Sequence, residues 1–216
     1  MVSSLSLRIT EIFYSLQGET ATVGLPTVFV RLTGCPLRCH YCDTAYAFTG
    51  GQQTPLPDIL DTVASYQPSF VTVTGGEPLA QPNCLPLLTA LCDANYQVSL
   101  ETSGAIDVST VDARVCKVMD LKTPGSGEQS KNLWENLPHL LPTDQIKFVI
   151  CDDSDYLWAK DMMAKYQLSD ICQVLMSPSH QKMDPRKLAD AIVADRLPVR
   201  FQVQLHKLLW DDAPGY

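Results

Sequence analysis

The chain alternates between short apolar runs rich in β-branched residues and longer stretches in which apolar positions recur at helical spacing. The short runs predict β-strands at 27–31, 70–74, 97–101, 115–119, 145–150 and 173–176. A further strand is predicted at 7–14, and alternating apolar and polar residues predict another at 199–205. The longer stretches predict helices at 56–66, 84–95, 154–166 and 185–196. Strands and helices therefore follow one another along most of the chain.

Repeated strand–helix units favour a parallel sheet with the helices packed outside it. About six such strands are too few for a closed barrel of eight units and roughly 250 residues. The 216 residues are predicted to form one α/β domain over 1–216, a partial, open TIM-like β/α barrel with N-terminal and C-terminal extensions. Gly125-Ser126-Gly127 is expected to be a flexible loop.

The segments that contain candidate binding or catalytic residues all follow predicted strands. In sheets of this kind, ligands bind at the carboxyl ends of the strands. A cysteine-rich loop at 35–42 follows the first parallel strand, and Gly75-Gly76-Glu77-Pro78 follows the next. Two further segments, 101–104 and 120–122, follow the strands after that. The sequence therefore places all four segments at one edge of the sheet.

Composition narrows the class of protein. A formal charge of −8 and a pI near 4.8 disfavour nucleic-acid binding, which needs a basic face. The N-terminal residues carry no charged-then-apolar leader and no apolar run is long enough to span a bilayer, so no membrane association is expected. Eight cysteines in such a chain predict reduced thiols in the cytoplasm. Five of them are isolated and are interpreted as small buried apolar residues: Cys84, Cys92, Cys116, Cys151 and Cys172.

Cys35, Cys39 and Cys42 form a C-x3-C-x2-C pattern, with Tyr41 directly before the last cysteine. Three thiolates hold three irons of a 4Fe–4S cube and leave the fourth iron free for another ligand. A zinc site is the alternative, with His40 or a distant cysteine as fourth ligand, although zinc sites favour paired C-x2-C units. The pattern alone leaves both interpretations open.

The Gly75-Gly76-Glu77-Pro78 segment also has two interpretations. Glycine pairs and prolines are common in plain turns. Alternatively, the glycines expose backbone carbonyls to the ammonium group of a ligand, with Glu77 in support. One strand after the cysteine loop, this turn resembles the motif with which radical S-adenosylmethionine enzymes hold their cofactor. The resemblance implies a 4Fe–4S cluster, S-adenosylmethionine and the partial barrel of that superfamily.

Within this superfamily, nearly the whole chain resembles one family, the 7-carboxy-7-deazaguanine synthases. It rests on Leu16-Gln17-Gly18-Glu19, Arg31, Cys42-Asp43-Thr44, Glu101-Thr102-Ser103-Gly104 and Gln204-Leu205-His206-Lys207. Enzymes of this family convert 6-carboxy-5,6,7,8-tetrahydropterin to 7-carboxy-7-deazaguanine and ammonia, a carbon–nitrogen lyase step in the biosynthesis of queuosine and other deazapurines. The resemblance implies the same activity for this chain, with Mg²⁺ as a third cofactor.

The family positions imply roles for individual residues. The implied cluster ligands are Cys35, Cys39 and Cys42, and Thr44 is an implied Mg²⁺ ligand, since a hydroxyl is a hard oxygen donor. The implied cofactor contacts are Tyr41, Cys42, Asp43, Gly76, Glu77, Ser103, Gly104, Asp120, Leu121 and Lys122. Many relatives have Ser-Pro-Lys at the last three positions, where this chain matches only Lys122. The implied substrate contacts are Leu16, Gln17, Gly18, Arg31, Thr102, His206 and Tyr216, and the planar Arg31 fork suits the pterin carboxylate.

The resemblance also implies a flavodoxin-like or ferredoxin-like electron donor and a homodimer. No catalytic residue beyond the cluster and cofactor is predicted. Glu19 and Glu101 are acids that can assist in acid–base steps of the reaction. Two alternatives stay open. A glycyl-radical-enzyme activase shares the cluster loop but acts on a protein backbone, so it needs no counterpart of Arg31 or Thr44. A non-catalytic iron–sulfur or zinc module needs a fourth ligand and no glycine turn.

Overall fold

One mixed β-sheet organises the computed structural model, which describes residues 5–211. Its strands over that range are β1 (Ser6–Leu16), β2 (Pro26–Leu32), β3 (Gln52–Pro55), β4 (Phe70–Gly75), β5 (Gln97–Thr102), β6 (Cys116–Asp120), β7 (Gln145–Ile150), β8 (Gln173–Pro178) and β9 (Arg200–Phe201). Their spatial order is β3-β1-β2-β4-β5-β6-β7-β8-β9. The sheet is therefore open, with β3 and β9 at its two edges.

All but the last of the helices lie between strands, as the pattern predicts. They are α1 (Leu56–Ser65), α2 (Cys84–Asp93), α3 (Asp153–Tyr166), α4 (Leu168–Ile171), α5 (Pro185–Asp195) and α6 (Leu205–Trp210). Asp184 begins α5 by accepting the Arg186 N–H, and Pro185 occupies the first turn, where a proline costs no hydrogen bond. Within residues 5–211, no helix combines the length and apolar character needed to cross a bilayer.

The pairing of the strands confirms the predicted α/β partial barrel with an N-terminal extension. Strands β2 and β4 to β9 pair in parallel. The extension is β1, which pairs antiparallel with both β2 and β3. Because the parallel strands all point the same way, the segments that follow them meet at one edge of the sheet.

Two local predictions are wrong, and one strand was not predicted. The strand expected at 199–205 contains only Arg200–Phe201 and gives way to α6, because Leu205, Leu208 and Leu209 have helical spacing. Strand β3 was not predicted, since Gln52–Pro55 is polar and gains its place by pairing with β1. The expected flexible loop at 125–127 is an ordered turn in which the Gly125 N–H donates to the buried Asp155 carboxylate at 2.7 Å.

The core lies in two apolar clusters on the two halves of the sheet. The first joins β1, β2, β4 and β5 to α1 and α2, with Val73, Leu88 and Leu100 fully buried. The second joins β6, β7 and β8 to α3 and α5, with Phe148 and Leu188 fully buried. Each such side chain contributes about 1.5–3 kcal/mol to folding, so this packing holds the strand ends in fixed positions around the site.

The loop at 17–25, between β1 and β2, connects the two halves of the sheet. Its own ends are joined, since the Gln17 N–H donates to the Leu25 carbonyl at 2.9 Å. The Thr20 N–H donates to the Gln202 side chain and the Ala21 N–H to the Gln145 side chain, each at 2.9 Å. The 17–25 loop is therefore bonded to the start of β7 and to the segment after β9.

Candidate active site

A cavity of about 660 Å³ lies at the carboxyl ends of the parallel strands, bounded by the cysteine loop and the 17–25 loop. Its volume is in the range of small-molecule and cofactor sites. Most residues singled out in the sequence line it: Leu16, Gln17, Gly18, Arg31, Cys35, Cys39, Tyr41, Cys42, Asp43, Thr44, Gly76, Thr102, Ser103, Asp120, Lys122 and His206. Three do not line it: Glu77, Gly104 and Leu121. Tyr216 lies outside the described residues.

The three cysteines of the loop are free, half-buried thiols on one wall of this cavity. Burial raises the pKa of all three thiols, that of Cys39 to about 11, while the Lys122 ammonium acts in the opposite direction. Binding to iron as thiolates therefore releases protons. Among the described residues, no group of three His, Cys, Asp or Glu side chains is arranged to hold a single metal ion.

The glycine turn lies directly against the cysteine loop. A Cβ atom on Gly76 would stand 2.2 Å from the Gly34 carbonyl oxygen and 2.7 Å from the Cys35 Cβ. Gly75 has φ +142°, and a Cβ there would stand 2.2 Å from the Leu32 carbonyl oxygen. Glycine is therefore required at both positions, because a side chain at Gly76 would meet the start of the cysteine loop and one at Gly75 would meet the end of β2.

Glu77 fixes this turn to the end of β5. Its side chain is fully buried and accepts hydrogen bonds from the Thr102 hydroxyl at 3.0 Å and the Ser103 N–H at 2.7 Å, as well as from the Ser103 hydroxyl. It also accepts the Leu79 N–H at 3.0 Å. The carboxylate thus lies behind the cavity wall, and it acts on the cavity through the positions of Gly76 and Ser103.

A network of buried charged side chains lines the cavity. The Lys122 ammonium lies 3.0 Å from Asp120, and the Lys147 ammonium lies 3.0 Å from Glu19 and 3.8 Å from Asp120. Burial lowers the pKa of both lysines, but the neighbouring acids outweigh it and hold each pKa above its usual value. Burial raises the pKa of Glu101, which Lys147 opposes. Both lysines therefore stay charged inside the cavity.

Three polar atoms of the cavity wall are buried without a hydrogen-bond partner. They are the Glu19 Oε1, the Asp120 Oδ1 and the Tyr41 hydroxyl. An unpaired buried polar atom is costly, by about 1–3 kcal/mol, and at a cavity wall a ligand can pair it. The second oxygen of Asp120 is held by Lys122. The cavity is thus supplied with acceptors for the donors of a bound molecule.

Arg31 lies on β2, between Glu11 of β1 and Thr74 of β4. Its Nε donates to Glu11 at 2.6 Å, and the Tyr46 hydroxyl donates to the same carboxylate oxygen at 2.8 Å. The guanidinium lies over the rings of Phe13 and Tyr46, 5.7 and 5.8 Å from their centroids. These contacts hold the plane of the guanidinium, which is the condition for a two-point contact with a carboxylate.

The Gln17 amide is fixed by bonds within the protein. Its Nε2 donates to Thr72 at 3.2 Å and to Glu101 at 3.4 Å, and its Oε1 accepts the Glu19 N–H at 3.2 Å. The sequence did not predict these bonds. They make Gln17 a support for Glu19 and Glu101, whatever further contact it makes with a ligand.

Thr44 and Asp43 lie where the cysteine loop ends. The Thr44 hydroxyl donates to the Asp43 carboxylate at 2.7 Å, and the Lys207 ammonium lies 3.8 Å from that carboxylate. Burial raises the pKa of Asp43, but the Thr44 hydroxyl and Lys207 outweigh it, so the pKa lies below its usual value. An ionised carboxylate and a hydroxyl oxygen therefore face the cavity side by side, and both are oxygen ligands of the kind that Mg²⁺ prefers.

His206 reaches the cavity from α6 because residue 18 has no side chain. A Cβ atom on Gly18 would stand 2.2 Å from the His206 Nδ1, and the Leu205 N–H donates to the Gly18 carbonyl at 2.9 Å. Burial lowers the pKa of His206, so the neutral imidazole is favoured in this position.

Gly18→Ala is expected to displace the His206 ring and to lower the free energy of unfolding by about 1–3 kcal/mol, the usual cost of overpacking. Denaturant unfolding of the two single variants and of the double variant with His206→Ala measures this. In the double variant the methyl group has room, so Gly18→Ala is expected to cost much less. An equal cost in both backgrounds would contradict the contact between the two residues.

Several cavity residues were not singled out in the sequence, among them Lys147, His180 and Lys182. His180 and Lys182 follow β8, so the strand-end rule was sufficient to find them. Lys147 is a lysine inside an apolar strand, which is a weak signal. Lys117 has the same setting on β6, yet it pairs with Asp144 at 2.8 Å and does not line the cavity.

Comparison with known proteins gives the class. The model of the radical SAM superfamily matches residues 29–120, the range that contains the cysteine loop and the glycine turn. The crystal structure of QueE from Escherichia coli shares the fold, with a TM-score of 0.78, 22% identity, and coverage of 95% of this chain and 96% of that one. The fold and the cysteine loop together define a radical S-adenosylmethionine enzyme.

Relatives that match over their full length show the family within this class. The 7-carboxy-7-deazaguanine synthase of Chlorobaculum tepidum is 42% identical over 219 residues, covering 100% of both chains. That of Koribacter versatilis is 40% identical over 94% of this chain and 97% of its own. The chain belongs to the 7-carboxy-7-deazaguanine synthase family.

The residues present fit the cofactors of the radical S-adenosylmethionine class, a 4Fe–4S cluster and S-adenosylmethionine. The cluster needs three thiols on one loop at a cavity, which Cys35, Cys39 and Cys42 supply. S-adenosylmethionine carries ammonium and ribose hydroxyl donors. The unpaired oxygens of Asp120 and Tyr41 are acceptors for such groups, and the Gly76 backbone lies against the cysteine loop.

Proposed function

We propose that this protein converts 6-carboxy-5,6,7,8-tetrahydropterin to 7-carboxy-7-deazaguanine with release of ammonia, in the biosynthesis of queuosine or another deazapurine. The observation that carries the proposal is the presence, in one cavity, of the cysteine loop and of an arginine held by Glu11 and two aromatic rings. The names of the full-length relatives support it. The radical chemistry that removes a hydrogen atom from the pterin and later returns it is supplied by the bound cluster and S-adenosylmethionine.

Arg31 binds the substrate carboxylate in this proposal. Glu11 and two aromatic rings already hold the guanidinium, so little side-chain freedom is lost when the substrate binds. The carboxylate receives two parallel N–H bonds, which orient the pterin as well as bind it. A carboxylate substrate explains why this position has an arginine and not a lysine, since only the planar guanidinium can donate two parallel hydrogen bonds to a carboxylate.

Glu19 and Gln17 read the pyrimidine edge of the pterin. That edge presents N–H donors, and the buried Glu19 Oε1 has no partner among the described residues. Lys147 holds the other oxygen of Glu19 at 3.0 Å. Leu16, Gly18, Thr102 and His206 complete the walls around the substrate. Fixed groups of this kind position the reacting carbon and exclude water.

Mg²⁺ is proposed to bind at Thr44, beside the substrate. The support is the adjacent pair of oxygen ligands formed by the Thr44 hydroxyl and the Asp43 carboxylate. Mg²⁺ commonly takes one or two protein ligands and completes its shell with substrate and water. Thr44 would hold such an ion, which would supply positive charge beside the substrate carboxylate.

Thr44→Ala is expected to raise the Mg²⁺ concentration needed for half-maximal turnover roughly tenfold, the loss of about one oxygen contact. Turnover measured across a Mg²⁺ titration tests this. Thr44→Ser keeps the hydroxyl and is the matched control, expected to stay near the parent protein. An unchanged Mg²⁺ dependence in Thr44→Ala would remove Thr44 from the metal site.

The remaining partners are proposals that rest on the family. A flavodoxin-like or ferredoxin-like protein supplies the electron to the cluster, and two copies of the chain form a homodimer. A cytoplasmic location is supported by the free state of all eight cysteines. One domain over 1–216 carries both the cofactor and the substrate contacts.

Anaerobic turnover tests the proposed reaction directly. The reconstituted protein is incubated with carboxytetrahydropterin, S-adenosylmethionine, Mg²⁺ and a reductant, and the expected result is deazaguanine product together with regenerated S-adenosylmethionine. Cofactor cleavage without deazaguanine would overturn the proposal and favour a glycyl-radical-enzyme activase. An iron–sulfur spectrum that does not change when S-adenosylmethionine is added would favour a non-catalytic module.

A further inference from the structure

The backbone on both sides of Cys39 is bonded to one neighbouring loop. The Arg38 N–H donates to the Glu128 carboxylate at 2.5 Å, and the His40 N–H donates to the Ser126 carbonyl at 2.9 Å. Both acceptors belong to the 123–128 loop, which follows β6. Cys39 is therefore held between two hydrogen bonds to a segment that carries none of the cluster ligands.

The 123–128 loop is itself rigidly anchored. The buried Asp155, at the start of α3, accepts the Gly125 N–H at 2.7 Å and the Thr123 hydroxyl at 3.0 Å. The Ser126 hydroxyl donates to the Thr123 carbonyl at 2.6 Å and accepts the Glu128 N–H at 3.0 Å. These bonds fix the loop from its first residue to Glu128. The 123–128 loop is therefore a rigid support for the cysteine loop.

The close approach of the two loops depends on Gly127. This residue has φ +76°, and a Cβ atom there would stand 2.7 Å from the His40 ring. The ring thus packs directly on the backbone of the 123–128 loop. On its other side the cysteine loop is held by the Arg38 guanidinium, which donates to the Cys35 carbonyl at 2.8 Å and lies 4.3 Å from the Phe48 ring centroid.

We infer that Glu128 is a positioning residue for the iron–sulfur cluster. The cysteine loop has no helix or strand of its own between 33 and 44, so its backbone must be ordered by bonds to other segments. Glu128 supplies one of these on the Arg38 N–H, between Cys35 and Cys39. Without it, the loop holds Cys39 less firmly and releases the cluster more readily. The inference depends on the cluster and not on the pterin reaction.

Cluster release and the spectrum of the reduced cluster test this inference in three variants. Glu128→Ala removes the acceptor, and Glu128→Gln keeps an oxygen that can accept the Arg38 N–H. Glu135→Ala removes an exposed acid further along the same chain segment and is the matched control for charge. The probe is a strong iron chelator added to the anaerobic holoprotein, with cluster absorbance followed over time.

Glu128→Ala is expected to lose the cluster about tenfold faster than the parent, in line with the loss of a charge-assisted hydrogen bond. Its reduced cluster is expected to show a broadened electron resonance signal, whereas Glu128→Gln and Glu135→Ala stay near the parent. Thermal unfolding of the cluster-free proteins is expected to be the same in Glu128→Ala and Glu135→Ala. Equal release rates in these two variants would overturn the inference. So would a parallel loss of stability in the cluster-free Glu128→Ala protein, because Glu128 would then act on the fold as a whole.

Discussion

Replacing Cys39 by alanine is expected to remove the iron–sulfur cluster and to reduce turnover to the background rate. The cysteine lies between the other two ligands of its loop, and a cube held by two thiolates has lost a third of its protein bonds. Iron and sulfide content, the visible absorbance of the reconstituted protein and S-adenosylmethionine cleavage measure the effect. Alanine at Cys35 or Cys42 is expected to give the same result.

Cys116→Ala is the matched control for this experiment. Cys116 is also a free, partly exposed thiol, but it donates to the Thr143 carbonyl at 3.2 Å and does not line the cavity. Its replacement is expected to leave the cluster and turnover intact. A Cys39→Ala protein that keeps a catalytic cluster would refute the assignment of the cysteine loop.

Arg31→Ala is expected to raise the KM for the pterin by about 10–100-fold, since hydrogen bonds to charged groups contribute about 1.5–3 kcal/mol. The affinity for S-adenosylmethionine is expected to stay within about threefold, because the Arg31 side chain bonds Glu11 and lies over the rings of Phe13 and Tyr46, none of which is an implied cofactor contact. Steady-state kinetics with each substrate varied in turn, together with a binding titration of the cofactor, measure the two effects separately.

Two further variants show whether Arg31 binds the pterin carboxylate through the planar shape of its guanidinium and not only through its charge. Arg31→Lys keeps the charge but not the planar fork, so it is expected to recover only part of the loss. Tyr46→Phe removes the hydroxyl that bonds Glu11 but keeps the ring under the guanidinium, so it is expected to have a smaller effect than Arg31→Ala. A parallel loss of cofactor and pterin affinity in Arg31→Ala would instead assign Arg31 to the structure of the cavity.

The parallel sheet was predictable from the sequence because its strands are buried and apolar. Strands such as β4 and β7 read as continuous β-branched or apolar runs between turn residues, and the structure has them within one or two residues of the predicted bounds. Edge elements were not predictable in this way. Gln52–Pro55 is a strand because β1 offers a free edge, and no local pattern in four mostly polar residues contains that information.

The residues of the cavity were predictable where they follow strands or match a motif. Their mutual contacts were not. The Lys147–Glu19 pair joins residues 128 positions apart, and the Gln17 amide bonds a residue 84 positions away. Such pairs depend on the folded geometry of the whole sheet. For the same reason, the sequence did not predict that the Glu77 carboxylate bonds Thr102 and Ser103.

The 17–25 loop has a consequence for how the protein is made. It forms one wall of the cavity, yet its backbone is bonded to side chains 124 and 182 positions further along the chain. Contacts of such long sequence separation form late in folding. On the ribosome, nearly the entire chain must emerge before this wall can close. The cysteine loop is translated early, so its three thiols emerge from the ribosome well before the residues that complete the cavity around them.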